Sequence, residues 1–368
     1  MRRSQLCQHR LMLAGLALAA ACSTATSGST TAARADVATV VPSGEANFVQ
    51  VIPRPDEQRV DVLVGGRPFT AYIWPASLRK PVLFPIRTAT GAVVTRGYPL
   101  EPRTGERVDH PHHAGLWFNY GDVNGMDFWN NSTAIAAADA PRMGTIQHRA
   151  IQRTTSGADE GTLGVTTEWL DGRGAPLLRE DVTFIFRAKE DLRTIDRITT
   201  LTALDRAVSF TDNTEGLIGM RVARQLEQPS TTPELFTDAT GRPTTVPVLD
   251  TTGVTGKYLS SDGKEGDAVW GSRGRWATLT GTISGEPVRI AIFDHPQNPG
   301  YPTYWHARGY GLFAANPLGQ KALSNGREEL NFKLQPGESV NFRHQILIMS
   351  GVVATQIIDP YYEGWARD

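Results

Sequence analysis

Three histidines, several acidic or amide side chains and two tryptophans lie within residues 109–129, which read DHPHHAGLWFNYGDVNGMDFW. If the residues after Asp109 are extended, His110 and His112 point to one face of a strand and His113 points to the other. Two imidazoles on one face can bind a metal or exchange protons with a substrate. We therefore treat His110 and His112 as candidate catalytic residues, or as ligands if the protein is a metal enzyme, and expect His113 to be structural.

The second half of this stretch favours a carbohydrate pocket over a metal site. Its GDVNG sequence is typical of a loop, because Asp and Asn side chains stabilise turns. Aromatic faces beside carboxylates and amides suit a sugar, since flat apolar walls contact its C–H groups and fixed polar groups bind its hydroxyls. The alternative is that the rings belong to the core and the polar residues cap turns. The expected substrate contacts are Asp122, Asn124, Asp127 and Trp129.

A second polar cluster, residues 293–319, repeats the Asp-His-Pro triplet directly after an apolar strand. Three prolines within ten residues oppose strand pairing, so we expect a long loop at the end of that strand. Loops fixed on a rigid sheet commonly carry functional sites. The candidate acids and bases here are Asp294, His295 and His306, and Trp305 is a candidate substrate contact.

A third segment, FTDNTEGLIGMRVA, contains Glu215 and Arg221, both costly to bury unless they are paired or solvated. Glu215 is a candidate general base, and Arg221 a candidate for holding a substrate carboxylate or hydroxyl. The alternative is a surface ion pair.

Two other histidines give weaker signals. His344 follows the apolar alternation of a strand and is expected in the core, and the surroundings of His148 suggest no function.

The elements that must position these residues are mostly strands with a period of two and Gly or Pro turns between them. Helical periodicity is limited to a short helix or irregular loop over residues 134–140 and a terminal helix over 353–365. We therefore expect a mostly β fold, one large antiparallel β-sandwich. Two smaller β domains joined near residues 231–247 are the alternative. The clearest strand pairs are 59–64 with 67–74, 276–284 with 287–293, and 330–334 with 340–348.

The N-terminal residues have the layout of a bacterial export signal, with a basic start, a short apolar run and small residues before Cys22. The end of this signal resembles a lipobox, although Ala19 stands where leucine is usual, and ordinary cleavage after an A-x-A site is the alternative. We expect a lipoprotein-type signal over residues 1–22 with Cys22 lipidated. A disordered Ser/Thr/Ala-rich tether over 23–46 and a single β-sandwich domain over 47–368 follow.

Charge and hydropathy limit the classes of partner that the protein is expected to bind. The net charge is −1 with 20% charged residues, so no basic field favours nucleic acid. Beyond the signal, no apolar run approaches the roughly 20 residues of a membrane helix. We expect an exported, periplasmic protein attached to the outer membrane only through a lipid. Its partner would be a carbohydrate, small molecule or oligosaccharide, and no cofactor is expected.

Several segments together resemble a bacterial family of unknown function often labelled methane oxygenase PmoA. The resemblance covers about residues 80–351, and Ala114 stands where many members have arginine. The label does not fit, because a particulate methane monooxygenase subunit spans the membrane. What the resemblance implies is a supersandwich similar to galactose mutarotase, a fold shared by aldose epimerases, lyases and hydrolases. The segments are KPVLFPIRTATGAVVTRGYPL, DHPHHAGLWFNYGDVNGMDFW, TEGLIGMRVA, VWGSRGRW and IAIFDHPQNPGYPTYWHARGYGLFAANPLG.

The leading hypothesis is an exported carbohydrate-active enzyme. In a mutarotase-like reaction, His110 or His112 donates a proton to the ring oxygen, and Glu215 or Asp294 accepts the proton of the anomeric hydroxyl. Lyase or hydrolase chemistry fits the same residues, with His295 or His306 as the second acid or base. The alternatives are a non-catalytic sugar-binding lipoprotein and a metal enzyme with histidine ligands.

Overall fold

Strands dominate the protein, which we describe from a computed structural model covering residues 46–230, 233–238, 240, 242–246, 251–352 and 354–367. The strands form because apolar side chains alternate with polar ones, so that one face of each strand can be buried. In the strand Arg59–Val64, for example, Val60, Val62 and Val64 are buried while the residues between them are partly exposed. The predicted signal, Cys22 and nearly all of the tether lie outside the described residues.

Two large antiparallel sheets contain most of the strands in the described part of the chain. Hydrogen-bonded neighbours follow one another in the first sheet in the order β1 (Val49–Arg54), β2 (Arg59–Val64), β3 (Arg67–Ile73), β4 (Val82–Leu83), β5 (Leu116–Tyr120), β11 (Gly216–Arg221), β18 (Leu312–Asn316) and β17 (Tyr304–Arg308). In the second sheet the order is β14 (Lys257–Ser260), β15 (Trp276–Ile283), β16 (Glu286–Asp294), β20 (Ser339–Ser350), β9 (Leu192–Ala203), β8 (Pro176–Lys189), β7 (Glu160–Leu170) and β6 (Thr145–Thr155).

The remaining described elements are short. Strand β10 (Val208–Phe210) pairs with β19 (Phe332–Leu334), and β12 (Glu234–Thr237) pairs with β13 (Pro243–Val246). Helix α1 is Gln320–Leu323 and helix α2 is Ile358–Trp365. In addition, 3-10 turns occur at Pro55–Glu57, Ala140–Arg142, Arg224–Leu226, Gly266–Val269 and Thr355–Ile357. No helix that the structure describes has the length and apolar character needed to cross a membrane.

The two large sheets pack face to face, which confirms the predicted mostly β fold with large antiparallel sheets. Phe118 of β5 contacts Phe342 of β20 at a centroid distance of 5.8 Å. Phe69 of β3 meets Phe186 of β8 edge to face at 6.4 Å. Because side chains alternate along a strand, Trp117 lies on the opposite face of β5, where a smaller buried cluster covers the first sheet. That second face is the one on which the candidate site is built.

Two of the three strand pairs expected from the sequence form hairpins, β2 with β3 and β15 with β16. In the third pair both strands are present, but they do not pair with each other. β19 pairs with β10, while β20 lies between β16 and β9. The terminal helix is confirmed as α2, and residues 134–140 form the irregular loop that the sequence allowed.

Candidate functional site

The residues before β5 form a turn instead of an extended strand. The backbone N–H of His113 donates to the carbonyl of His110 at 2.9 Å, and His110 has a φ of 43°. Pro111, between them, has no N–H to contribute to a ladder. The rings of His110 and His113 consequently stack in parallel at 4.9 Å, and the His112 ring is nearly perpendicular to both. The expectation that His110 and His112 share a strand face is therefore wrong.

Two buried arginines fix the carboxylate of Asp109. Nη1 of Arg96 donates to Oδ1 at 2.6 Å, and Nη2 of Arg221 donates to both carboxylate oxygens at 2.7 and 2.9 Å. Neither arginine side chain is exposed. Burial alone would raise the pKa of Asp109. The hydrogen bond with His110 and the charges of Arg221 and Arg96 outweigh burial and hold that pKa well below its usual range.

His110 lies between this carboxylate and the solvent. Its Nδ1 is 2.7 Å from Oδ2 of Asp109, and its side chain is 41% exposed. The ring stacks on His113 and also on Tyr310, the latter at 5.2 Å and 8°. Because Asp109 is ionised, we assign the shared proton to Nδ1 of His110. Nε2 is then the nitrogen that can take up or release a proton.

Glu215 and His306 form the second half of the site. Oε2 of Glu215 is 3.8 Å from Nδ1 of His306, and the Glu215 side chain is 30% exposed. Burial, with help from the negative charge of Asp127, raises the pKa of Glu215 to about 7. Burial and the charge of Arg308 lower the pKa of His306 to about 4. At neutral pH His306 is therefore uncharged, and Glu215 is poised between its two protonation states.

These groups are coupled to one another. The charge of His110 acts on both Glu215 and His306, and the charges of Glu215 and Asp109 act on Tyr310. Strand order explains this convergence, because β5, β11, β18 and β17 are consecutive neighbours and bring distant parts of the sequence to one face. We call the following residues the acid–base cluster: Asp109, His110, Glu215, His306 and Tyr310.

Small residues make room for the rings behind this cluster. Across the sheet Trp117 of β5 pairs with Gly219 of β11, which pairs with Ala314 of β18, which in turn pairs with His306 of β17. A Cβ on Gly219 would lie 2.8 Å from the Trp117 ring and 3.1 Å from Trp129. Glycine is therefore required for both indoles to lie close to the strands. Trp129 in turn stacks near His306 at 6.4 Å.

His112 does not take the role expected for it. Burial, followed by the charges of Lys80 and His110, lowers the pKa of His112 to about 2. Its Nε2 is buried and has no hydrogen-bond partner among the described residues. The carbonyl of His112 accepts a hydrogen bond from Nζ of Lys80 at 2.8 Å. Because Nε2 of His112 is buried while the His110 side chain is 41% exposed, the structure favours His110 as the acid.

Asp294 and His295 lie in the second sheet, apart from the acid–base cluster. Asp294 is fully buried in β16, where Oδ1 is 3.6 Å from Nε2 of His344, and burial raises its pKa to about 7. His295 packs edge-on against Trp365 of α2 and faces Arg343. Both side chains are enclosed by protein, so they leave the set of candidate catalytic residues. His344 is buried, as the strand alternation predicted.

Trp305, Trp129 and Arg221 are also too enclosed to contact a substrate. Trp305 is 0% exposed and packs on Phe313 in the core between the sheets. Trp129 is 1% exposed, and its Nε1 donates to Nε2 of His113. Arg221 does hold a carboxylate, but that carboxylate is Asp109 and not a ligand. Arg221 supports the site through Asp109 and Trp129 supports it through His113, and the surface ion pair between Glu215 and Arg221 is not formed.

The loop residues Asp122, Asn124 and Asp127 stabilise turns, which was the alternative interpretation of this stretch. Asp122 accepts a hydrogen bond from the backbone N–H three residues later at 2.9 Å. Asn124 exchanges two hydrogen bonds with the backbone at β10. Asp127 accepts from the next two turn N–H groups, of Trp129 and Asn130, each at 2.9 Å. The negative charge of Asp127 also acts on Glu215.

Sequence reasoning overlooked a surface strip beside the cluster. The Arg308 guanidinium lies 5.4 Å from the ring of Trp270 and 5.8 Å from the ring of Tyr310. Trp270 is 38% exposed, which is unusual for so large an apolar side chain. Arg96 was overlooked as well, although an arginine in the apolar context VVTRGYPL requires buried partners. The need of a buried arginine for acidic or carbonyl partners was the feature of the sequence that could have identified Arg96.

The donor geometry does not favour a metal. Within the part of the chain that the structure describes, no group of three or more His, Cys, Asp or Glu side chains is arranged to hold an ion. His110 and His112 were the ligands proposed for a metal enzyme. Their rings are 5.5 Å apart and nearly perpendicular, and Nδ1 of His110 is already engaged by Asp109. No observation in this site therefore supports the metal alternative.

Comparison with solved structures finds similar folds among sugar enzymes. A galactose 1-epimerase from Lactobacillus acidophilus NCFM is 13% identical, with 83% of this chain and 99% of that chain covered and a TM-score of 0.38. A galactose mutarotase-like protein from Clostridium acetobutylicum is 10% identical, with coverage of 82% and 98% and a TM-score of 0.35. The galactosidase domain of an alpha-galactosidase–sucrose kinase is 9% identical, with a TM-score of 0.34. That match covers 82% of this chain, which spans 42% of the other chain.

Comparison with family models gives one match over most of the sequence. The model is described as a family of unknown function, DUF6807, and it matches residues 59–363. No curated protein matches the chain. The match to DUF6807 does not support the methane oxygenase label.

Proposed function

This chain belongs to DUF6807, a family of unknown function, and we propose that it is an enzyme acting on carbohydrates by acid–base catalysis. His110 and Glu215 are the two groups that exchange protons with the substrate. The observation that carries the proposal is the half-exposed His110 ring, hydrogen-bonded through Nδ1 to an Asp109 held by two buried arginines. Packing alone does not require two buried arginines to fix the carboxylate that orients one exposed imidazole.

The roles follow from the protonation states. Glu215, with a pKa raised to about 7 by burial, is ionised in a large fraction of molecules at neutral pH and can accept a proton. Asp109 accepts the hydrogen bond from Nδ1 of His110, which leaves Nε2 as the ring nitrogen that gives its proton to the substrate. On a cyclic sugar, Glu215 takes the anomeric hydroxyl proton while His110 protonates the ring oxygen. The C1–O5 bond breaks and the open-chain aldehyde forms, and reclosure in the reverse sense gives either anomer.

The surroundings suit a sugar better than a purely apolar or a highly charged substrate. The exposed Trp270 offers an aromatic surface near Tyr310, whose own ring stacks on His110. Arg308 lies between these rings and supplies donors for hydroxyl oxygens. A flat apolar face next to fixed polar groups is the usual chemistry of carbohydrate recognition.

A saccharide screen by proton NMR tests this proposal. The purified protein is incubated with reducing sugars, methyl glycosides and uronates, and anomer exchange, epimerisation, elimination and hydrolysis are followed in the same spectra. We expect one of these conversions to accelerate in proportion to protein concentration and to be lost in Glu215→Gln. If no saccharide in the panel is converted by the folded protein, the proposal is wrong, whether or not a sugar binds.

We also propose, from the sequence alone, that the protein acts outside the cytoplasm. The basic start, the short apolar run and the small residues before Cys22 support export and lipid attachment. A lipid-anchored enzyme in the periplasm would meet saccharides that enter the cell envelope.

A further inference from the structure

A cavity of about 700 Å³ lies beside, but separate from, the acid–base cluster. It is bounded by the end of β3, the segment between β3 and β4, and the start of β6, and is open to solvent. Its size is within the range of small-molecule sites. The lining residues that matter here are Trp74, Arg79, Lys80, Asn131 and His148.

Lys80 is the unusual residue in this lining. It is 5% exposed, and in the described part of the chain it forms no ion pair. An ammonium group has three N–H donors, and the carbonyl of His112 accepts one of them at 2.8 Å. Burial lowers the pKa of Lys80 to about 7, with the negative charge of Asp127 opposing that shift. Nζ of Lys80 also lies 5.4 Å from the centroid of the buried Trp117 ring, and the N–H donors that remain are suited to an anionic group at the cavity wall.

An aromatic pair forms another part of the wall. Trp74 stacks on His148 at 4.0 Å and 28°, and both side chains are partly exposed. Nδ1 of His148 contacts the hydroxyl of Tyr72 at 3.2 Å, which orients the ring. Within the described residues, Nε2 of His148 has no hydrogen-bond partner and is available to a ligand. The indole and the free imidazole nitrogen together suit a sugar ring and one of its hydroxyls.

The charges and amides of the wall define the ligand further. Arg79, next to Lys80, is exposed and has no ion pair among the described residues. Asp171 is the carboxylate on the lining, and its Oδ1 is already engaged by two backbone N–H groups of its own turn at 2.9 Å. The amide of Asn131 donates to the Gly144 carbonyl at 2.8 Å, which fixes its orientation on the wall.

We propose that this cavity is a binding site for an acidic saccharide, whose carboxylate is received by Lys80 and Arg79 and whose ring packs on Trp74. The site does not depend on the acid–base chemistry of His110 and Glu215. The cavity lies next to the turn that carries His110, because Lys80 donates a hydrogen bond to the carbonyl of His112. The protein would therefore bind a uronate-containing sugar even if it converted none.

A matched pair of ligands tests this inference by isothermal titration calorimetry. Methyl β-D-glucuronide and methyl β-D-glucoside differ only in carrying a carboxylate or a hydroxymethyl group at C5. We expect the glucuronide to bind the full-length protein more tightly, and Lys80→Met to weaken its binding about tenfold, as for the loss of a charge-assisted hydrogen bond. Lys333→Met, which removes an exposed lysine of β19, should leave both affinities unchanged.

Two further variants keep the test decisive if Lys80→Met folds poorly. Arg79→Gln, at an exposed position, should weaken the glucuronide alone, and Trp74→Ala should weaken both glycosides. Equal affinities of the two ligands, or unchanged glucuronide binding in Arg79→Gln and Trp74→Ala, would overturn the inference. Binding that persists in His110→Ala with turnover abolished supports a separate site. Loss of glucuronide binding in His110→Ala would contradict it.

Discussion

Asp109 and His110 are adjacent in the sequence and are joined by a 2.7 Å hydrogen bond from ring Nδ1 to carboxylate Oδ2. The same carboxylate accepts from Arg96 and Arg221, so three donors converge on it. The consequence is that the exposed imidazole has one orientation and one preferred tautomer. A general acid needs that fixed geometry before its pKa matters.

Replacing Asp109 by Asn should affect stability and turnover together. Two buried guanidinium groups would lose their carboxylate, and removal of one partner of a buried pair costs about 3 kcal/mol or more. Urea unfolding measures this loss. Asp139→Asn is the control, because its ion pair with Arg142 is well exposed and is expected to contribute less than about 1 kcal/mol. Equal losses in the two variants would show that the arginines do not depend on Asp109.

His112 and His306 should stay neutral well below pH 6.5. Burial is the main cause in both, and it lowers their pKa values to about 2 and about 4. Proton NMR of the histidine ring signals, assigned with His112→Asn and His306→Asn, measures the titration directly. Between pH 8 and pH 6 neither ring signal should move. A midpoint near 6.5 for His112 would restore it as a rival to His110.

Because Trp117 lies so close to Gly219, we expect a methyl group added at Gly219 to destabilise the fold. The Cβ of Gly219→Ala would lie 2.8 Å from the Trp117 ring, which forces the indole or the strand to shift. We expect a loss of about 1–3 kcal/mol in the free energy of unfolding. Gly164→Ala in β7 is the matched control, since its Cβ would meet Arg153 at an ordinary 3.6 Å. A Gly219→Ala variant as stable as Gly164→Ala would contradict the packing described here.

The proposed lipid anchor gives a prediction for the N-terminal segment. Mass spectrometry of the protein recovered from bacterial membranes should find a diacylglyceryl group on Cys22, and Cys22→Ala should release the protein into the soluble fraction. Soluble wild-type protein cleaved before position 22, without lipid, would instead support ordinary signal cleavage.

The strands were predictable from sequence where alternation was local. Val60, Val62 and Val64 show the period of two, and the Gly-Gly pair that follows them specifies the hairpin. The partner of β19 was not predictable, because the pairing of Phe332 with Phe210 joins strands more than a hundred residues apart. Local patterns identify a strand but not its distant neighbour.

The candidate site was predictable only in part, because local sequence identifies its residues but not which strands become neighbours. His110, Glu215 and His306 were each identified from their residue type and context, and strand order brings them together. Asp294 and His295 have a similar motif to Asp109 and His110, but their strand lies in the other sheet. The turn at Pro111, which exposes His110 and buries His112, depends on backbone geometry that an assumption of extended chain misses.

We propose Glu215 as the base of the reaction, and the pH dependence of kcat/KM for the saccharide that the screen identifies tests this role most directly. The base must be ionised, and burial raises the pKa of Glu215 to about 7. In wild type, kcat/KM should therefore rise about tenfold per pH unit on the acidic side of pH 7. Glu215→Gln should lose at least about a hundredfold and show no such rise. A Glu215→Gln variant with the wild-type rate and the wild-type pH profile would contradict the account.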